Sequence, residues 1–148
     1  MSVILDILSN RVIQTAALAW AVAQALKVLL TLAITKRFDK SRVLGSGGMP
    51  SSHSAMACAM MMAIGYREGF TSPIFALAFC FAGVVMYDAT GVRRSAGRNA
   101  AVINHLMDAL SGNGYVFSEE RLKELVGHTP LQVLAGALLG ILIGTLMA

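Results

Sequence analysis

The chain has 148 residues, of which 56% are hydrophobic and 14% charged, with twelve basic against eight acidic side chains. Average soluble domains carry about a quarter charged residues, so these side chains are too few to cover a water-soluble domain of this size. The low fraction of charged residues and the mean hydropathy of +0.67 exclude a soluble domain, a disordered chain and a nucleic-acid-binding module, despite the net charge of +4. They predict a single all-α integral membrane domain over residues 1–148.

Four apolar segments predict membrane-spanning helices, because a span needs about 20 mainly apolar residues. These segments are 12–35, 52–66, 73–89 and 129–148. Between the third and the fourth, apolar residues recur at helical spacing from Val102 to Leu110, which predicts an amphipathic helix at the membrane interface. The expected fold is therefore a bundle of about four transmembrane helices with one interfacial helix.

The last span carries Gly136, Gly140 and Gly144 at four-residue intervals, which places three small residues on one helix face. Such a face allows another helix to approach closely. The approaching helix belongs either to the same chain or to a second copy. The pattern thus predicts close packing within the monomer or, alternatively, a homodimer interface.

Basic residues are sorted to one side of the predicted bundle. With four crossings, segments 36–51 and 90–128 lie on the same side, and they hold nine of the twelve basic residues. By the positive-inside rule this side is cytoplasmic and both termini lie on the opposite side. We expect the chain in a bacterial-type inner (plasma) membrane.

Three polar segments lie at the ends of spans on this basic side. They bring His53, His128, Arg93, Arg94 and two helix N-termini to one face of the membrane. Helix N-termini and arginine side chains bind phosphate oxygens, and two histidines beside an anion can act as nucleophile and general acid. Each feature alone is typical of a helix cap or a cytoplasmic anchor, but together they predict phosphoryl transfer from a membrane-bound phosphate ester.

Two further charged residues stand next to apolar sequence. Lys27 lies near the middle of the first span, where an ionisable group is costly and indicates a functional site; extension of its side chain toward the basic face is the alternative. Asp88 ends an apolar run and is expected to orient Arg93 or Arg94 through a partly buried ion pair. No P-loop, HExxH or Cys/His metal spacing occurs, so no metal or cofactor is expected.

Three blocks of sequence resemble the divergent branch of the type 2 phosphatidic acid phosphatase (PAP2) family. The blocks are GGMPSSHSA (47–55), YDATGVRRSAGRNA (87–100) and GHTPLQVLAGALLG (127–140), and Lys27 in AQALK (23–27) matches a lysine of that branch. The resemblance implies an all-helical, metal-independent phosphatase that acts on lipid phosphates or prenyl pyrophosphates through a phosphohistidine. It implies that His53 is the general acid and His128 the nucleophile.

The sequence departs from the superfamily pattern around the phosphate. The first superfamily motif, Lys-x6-Arg-Pro, is absent, and Leu122 stands at the position of the arginine before His128. The resemblance then implies a replacement phosphate clamp with the following members: Lys27, Arg93, Arg94, N–H groups near Ser51 and Ser52, and Arg98 in support.

Gln132 departs from the pattern beside the predicted nucleophile. It stands four residues after His128, where the superfamily has aspartate and the divergent branch usually glutamate. A glutamine can hydrogen-bond the imidazole but supplies no charge. This leaves a catalytically weak or inactive PAP2-like protein that binds phospholipid head groups or partners as the main alternative, with a small phospholipid flippase as a less supported one.

Overall fold

A computed structural model of the chain describes residues 3–36, 48–111, 122 and 127–148, apart from the side chains of 92–94. This part of the chain is helical and holds no strand, which confirms the predicted all-α class. The predicted basic loop at 36–51 lies outside the described residues except at its two ends. The helices are α1 (Val3–Ser9), α2 (Arg11–Thr35), α3 (Ser52–Glu68), α4 (Pro73–Thr90), α5 (Val92–Ser111) and α6 (Pro130–Leu146).

The helices begin at capping residues that the sequence supplies. Asn10 caps α2, since its Oδ1 accepts the N–H of Val12 at 2.9 Å. Ser72 caps α4 in the same way and is followed by a proline at the first helical position, where a missing N–H costs nothing. The predicted spans correspond to α2, α3, α4 and α6, whereas α1 has no counterpart among the predicted elements.

Two parts of the described chain are long and apolar enough to cross a membrane. They are α2 and the stretch Pro73–Ser111, which contains α4 and α5, while α6 is a shorter apolar helix. On α4, Ala78 and Ala82 are 5% and 0% exposed, whereas Phe79 and Phe81 are 61% and 52% exposed. Small residues therefore form the interior and large apolar residues the outer surface, as expected for helices packed in lipid.

Helix α3 lies at the centre of the bundle and packs against α2, α4 and α6. The three glycines of α6 face it: a Cβ at Gly136 would collide with the carbonyl oxygen of Ser51, and one at Gly140 with that of Ala55. A Cβ at Gly144 would lie 2.9 Å from the carbonyl oxygen of Ala59. This glycine face thus packs against α3 within the monomer, as the first of the two predictions has it, and the homodimer through this face stays a prediction.

Helix α5 corresponds to the predicted amphipathic helix. Val102 and Leu106 are 68% and 57% exposed, whereas Asn104 is 3% exposed. The Asn104 side chain donates from Nδ2 to the carbonyl oxygen of Leu122 at 2.9 Å and accepts the Leu122 N–H at 3.1 Å. These two bonds hold the connector at Leu122 against α5, six residues before His128.

Candidate active site

Two backbone hydrogen bonds join three chain segments at one end of the bundle. The N–H of His128 donates to the carbonyl oxygen of Ala89 at 2.9 Å, and that of Ser51 donates to the carbonyl oxygen of Gln132 at 3.0 Å. The start of α3, the end of α4 and the start of α6 are therefore held together. The sequence predicts that these segments lie on one side, and the structure places them in direct contact.

A cavity of about 260 Å³ lies where these segments meet. Three titratable side chains line it: His53 from α3, Asp88 from α4 and His128 from the residues just before α6. The rest of the wall is apolar or small and is made by Val84, Val85, Ala89 and Gly127. The cavity can hold a small polar group, and its α4 wall suits an apolar extension of that group.

The His128 imidazole is held in one orientation. Its Nδ1 lies 3.2 Å from Oε1 of Gln132, and the same Oε1 accepts the backbone N–H of Thr129 at 3.1 Å. Because Thr129 supplies a donor, the Gln132 atom beside it is the oxygen, which accepts hydrogen bonds but cannot donate them. Nδ1 of His128 therefore carries the proton, and Nε2 of the neutral ring carries the lone pair.

The Nε2 atom of His128 is buried and has no hydrogen-bond partner among the residues that the structure describes. Burial lowers the pKa of His128 below its ordinary value, and the positive charges of Lys27 and His53 lower it further. The hydrogen bond with Gln132 and the nearby backbone of Gly48 raise this pKa and offset part of the effect. At neutral pH the ring is therefore neutral, with an unpartnered lone pair, which is the state a nucleophilic nitrogen requires.

Lys27 is enclosed within the bundle, with only 1% of its side chain exposed. Its Nζ donates to Oε1 of Gln24 at 2.6 Å. The alternative interpretation, in which the side chain extends to the surface, is therefore wrong. The charge of Lys27 acts on His128. The buried ammonium therefore contributes positive charge to the surroundings of His128.

The serines at the start of α3 are buried and satisfy one another. Ser51 and Ser54 are 0% exposed and Ser52 is 2% exposed. Oγ of Ser51 caps α3 by accepting the N–H of Ser54 at 3.4 Å, and it accepts the Ser54 hydroxyl at 3.0 Å. The Ser51 N–H already donates to Gln132, and the phosphate contact of N–H groups near Ser51 and Ser52 stays a prediction.

The predicted arginines fall at and beyond the start of α5. Arg93 and Arg94 belong to its first turn, a few residues after Asp88 and Ala89 of the cavity wall, but their side chains lie outside those described. The predicted ion pair of Asp88 with one of them depends on those side chains. Arg98 is exposed and donates from Nη2 to Oγ of Ser95 at 3.3 Å, so it lies along its own helix and not in the cavity wall.

Several residues that hold the site residues in place do not belong to a catalytic motif. Thr129 and Gln132 form a capping box at the start of α6, and the sequence pattern Thr-x-x-Gln is its ordinary signal. Gln24 lies three residues before Lys27, a spacing that places two side chains side by side on a helix. The contact between Asn104 and Leu122 has no local signal, because eighteen residues separate the two.

The sequence matches that of the Divergent PAP2 family over residues 8–143. It is similar to YuiD, an uncharacterized membrane protein of Bacillus subtilis (strain 168), with 36% identity over 156 residues that cover 97% of this chain and 98% of YuiD. No solved structure gives a significant match. The similarity thus extends over all three segments that form the cavity.

Proposed function

The chain belongs to the divergent PAP2 family of membrane proteins, and on that premise we propose that it is a metal-independent phosphatase of lipid phosphates or prenyl pyrophosphates. The observation that supports this most directly is the state of His128. Its Nδ1 is held by Gln132, and its buried Nε2 is left without a partner at a cavity that also contains His53.

The proposed reaction has two displacements at phosphorus. In the first, the Nε2 lone pair of His128 forms the P–N bond as the bond from phosphorus to the leaving oxygen breaks, and His53 gives that oxygen a proton. In the second, neutral His53 takes a proton from water, the water oxygen attacks phosphorus, and the P–N electron pair returns to Nε2. The products are free phosphate and the lipid alcohol or monophosphate. Positioning and electrostatics supply most of the rate in such transfers.

Positive charge for the phosphoryl oxygens comes from Lys27 and from Arg93 and Arg94 in this proposal. Lys27 is buried and its charge acts on His128, which supports a role in stabilising charge on a group attached to Nε2. Arg93 and Arg94 begin the helix that follows the cavity wall. Arginine can bind two phosphate oxygens at once through its planar guanidinium group.

The proposed substrate lies with its chains in the bilayer and its phosphate at the cytoplasmic face of a bacterial-type inner membrane. In this proposal α2, α3, α4 and α6 each cross the membrane, and the cavity lies on the side that carries most basic residues. A cysteine introduced at Ser46, in a chain with Cys58 and Cys80 replaced by alanine, should react with an impermeant reagent from the cytoplasmic side. Labelling from the opposite side would show that the proposed orientation is wrong, and it would leave the proposed activity untouched.

Gln132 supports a second candidate, a PAP2-like protein that binds phospholipid head groups or partners without turning them over. Its amide oxygen orients His128 but carries no charge to stabilise the imidazolium that forms during reaction. Loss of such a charge in a serine-protease triad costs about 10⁴-fold in turnover. The cavity, Lys27 and the basic segments serve binding as well as they serve catalysis.

The deciding experiment measures phosphate release from phosphatidic acid, phosphatidylglycerophosphate and a prenyl pyrophosphate in detergent with EDTA. We expect release that vanadate inhibits and that His128→Asn abolishes. His105, which is exposed on α5, provides the matched control, and His105→Asn should retain full activity. No release from any substrate, with none gained on Gln132→Glu, would favour the binding protein over the enzyme.

A further inference from the structure

Asp88 presents a carboxylate to the cavity proposed to bind phosphate. It is half-buried on α4 and lines the same 260 Å³ space as His53 and His128. An acidic group beside a phosphate repels it, unless a positive charge between or beside them compensates. Asp88 therefore fits this wall through its effect on a group that carries positive charge during the reaction.

The two imidazoles at this cavity have opposite surroundings. His128 is 3% exposed, and its burial together with the positive charge of Lys27 favours its neutral form. His53 is exposed and shares the wall with the carboxylate of Asp88, which favours its charged form. When the surroundings of two titratable groups keep one charged and the other neutral, the charged group can act as the acid and the neutral one as the nucleophile.

We propose that Asp88 is the positioning residue for His53 and keeps its imidazole protonated at neutral pH, ready to donate to the leaving oxygen. This inference rests on the proposed phosphatase reaction. When His53 has given up its proton, the carboxylate favours recovery of a proton from the attacking water. Among the described side chains, the groups that oppose protonation of His53 are Lys27 of α2 and His128 in its charged form.

The test compares two lipids that differ in their leaving group. Phosphatidic acid must release an alkoxide, which needs a proton, whereas diacylglycerol pyrophosphate releases a phosphate monoester, which is stable as an anion near neutral pH. We expect Asp88→Asn to lower kcat on phosphatidic acid at least about tenfold, within the range that general acid catalysis contributes, and to change kcat on the pyrophosphate less than about twofold. Asp108→Asn, on an exposed residue of α5, should change neither.

A double-mutant comparison separates action through His53 from other roles. His53→Gln should show the same substrate dependence, and adding Asp88→Asn to it should cause no further loss on phosphatidic acid. An equal loss of kcat on both lipids, or a rise in KM on both with kcat unchanged, would overturn the inference. The rise in KM is the result expected if Asp88 serves only to orient Arg93 or Arg94.

An NMR titration of the histidine rings measures the effect of Asp88 on the protonation of His53 and does not require any enzymatic activity. The signals of His53, His105 and His128 are assigned by single substitutions, and the pKa of the His53 ring is compared between the native chain and Asp88→Asn. A decrease of at least about one pKa unit supports the inference, and an unchanged pKa overturns it. If the native chain hydrolyses neither lipid, the proposed phosphatase fails, while the titration still tests the effect of Asp88 on the protonation of His53.

Discussion

The side-chain oxygen of Gln132 lies 3.2 Å from Nδ1 of His128 and sets the tautomer of that ring. The same oxygen accepts the N–H of Thr129 and so completes the capping box of α6. One amide therefore stabilises the start of a helix and orients the proposed nucleophile. A glutamate would keep both hydrogen bonds and add a charge. Substitution at this position can therefore change kcat while it leaves the helix cap intact.

We predict that Gln132→Glu raises kcat by at least about tenfold, because the added carboxylate stabilises the imidazolium that forms on attack, as the triad aspartate does for its histidine. The capping box accepts glutamate as well as glutamine, so the melting temperature should change little. Gln132→Leu should lower both kcat and stability, the latter by about 1 kcal/mol for the lost cap. A fall in kcat on Gln132→Glu would contradict the charge argument.

The pH dependence follows from the lowered pKa of His128. Because its folded-state pKa lies below the ordinary value of about 6.5, the unfolded chain binds the proton first as pH falls. The contribution of this group to stability is therefore complete above pH 6.5 and is lost as pH falls toward the folded pKa. The acidic limb of kcat/KM should also lie below 6.5, since the nucleophile stays neutral to lower pH.

These pH effects are measured as the melting temperature and as kcat/KM in detergent between pH 5 and 8. His128→Asn should flatten the acidic loss of stability, while His105→Asn leaves it in place. An acidic limb at or above pH 6.5 in the native chain would show that His128 is not the group that must be neutral.

The α3–α6 contact predicts a large effect of adding a single methyl group. At Gly140 a Cβ would collide with the carbonyl oxygen of Ala55, which is backbone and cannot move aside as a flexible side chain can. We expect Gly140→Ala to destabilise the chain by about 1–3 kcal/mol, as overpacking does. Gly83 has open space around it, so Gly83→Ala should keep or raise the melting temperature, because alanine is the better helix former. Equal stability of the two variants would argue against this packing.

Asn104 links α5 to the connector that leads to His128. Asn104→Ala removes both partners of the Leu122 backbone, and each polar group left buried and unpaired costs about 1–3 kcal/mol. We expect a lower melting temperature and a lower kcat/KM, because the connector no longer holds its position before the nucleophile. Asn99, exposed on the same helix, gives the control Asn99→Ala. Full kcat/KM in Asn104→Ala would confine the role of Asn104 to stability.

Hydropathy and end residues suffice to predict the apolar helices α2, α3, α4 and α6, because polar sequence bounds each of them and the spacing of apolar residues is local. The meeting of His53 and His128 could also be predicted, since alternate crossings put both on one side. The commitment of the Ser51 amide to Gln132 could not, because it depends on how closely α3 and α6 approach. The enclosure of Lys27 by its neighbours likewise depends on packing between helices, which the spacing of apolar residues within one helix does not predict.

Lys27 is the residue at which stability and activity should move in opposite directions. Its buried ammonium is satisfied by Gln24 at 2.6 Å, yet replacing a buried charge by an apolar side chain of similar length is often neutral or stabilising. We therefore expect Lys27→Met to keep or raise the melting temperature while it raises KM for phosphatidic acid at least about tenfold, since the anion loses a nearby charge. Lys27→Arg, which keeps the charge, should retain more of the affinity than Lys27→Met. If Lys27→Met instead lowers the melting temperature and leaves KM unchanged, the lysine serves the packing of the bundle and the phosphate depends on the arginines of α5.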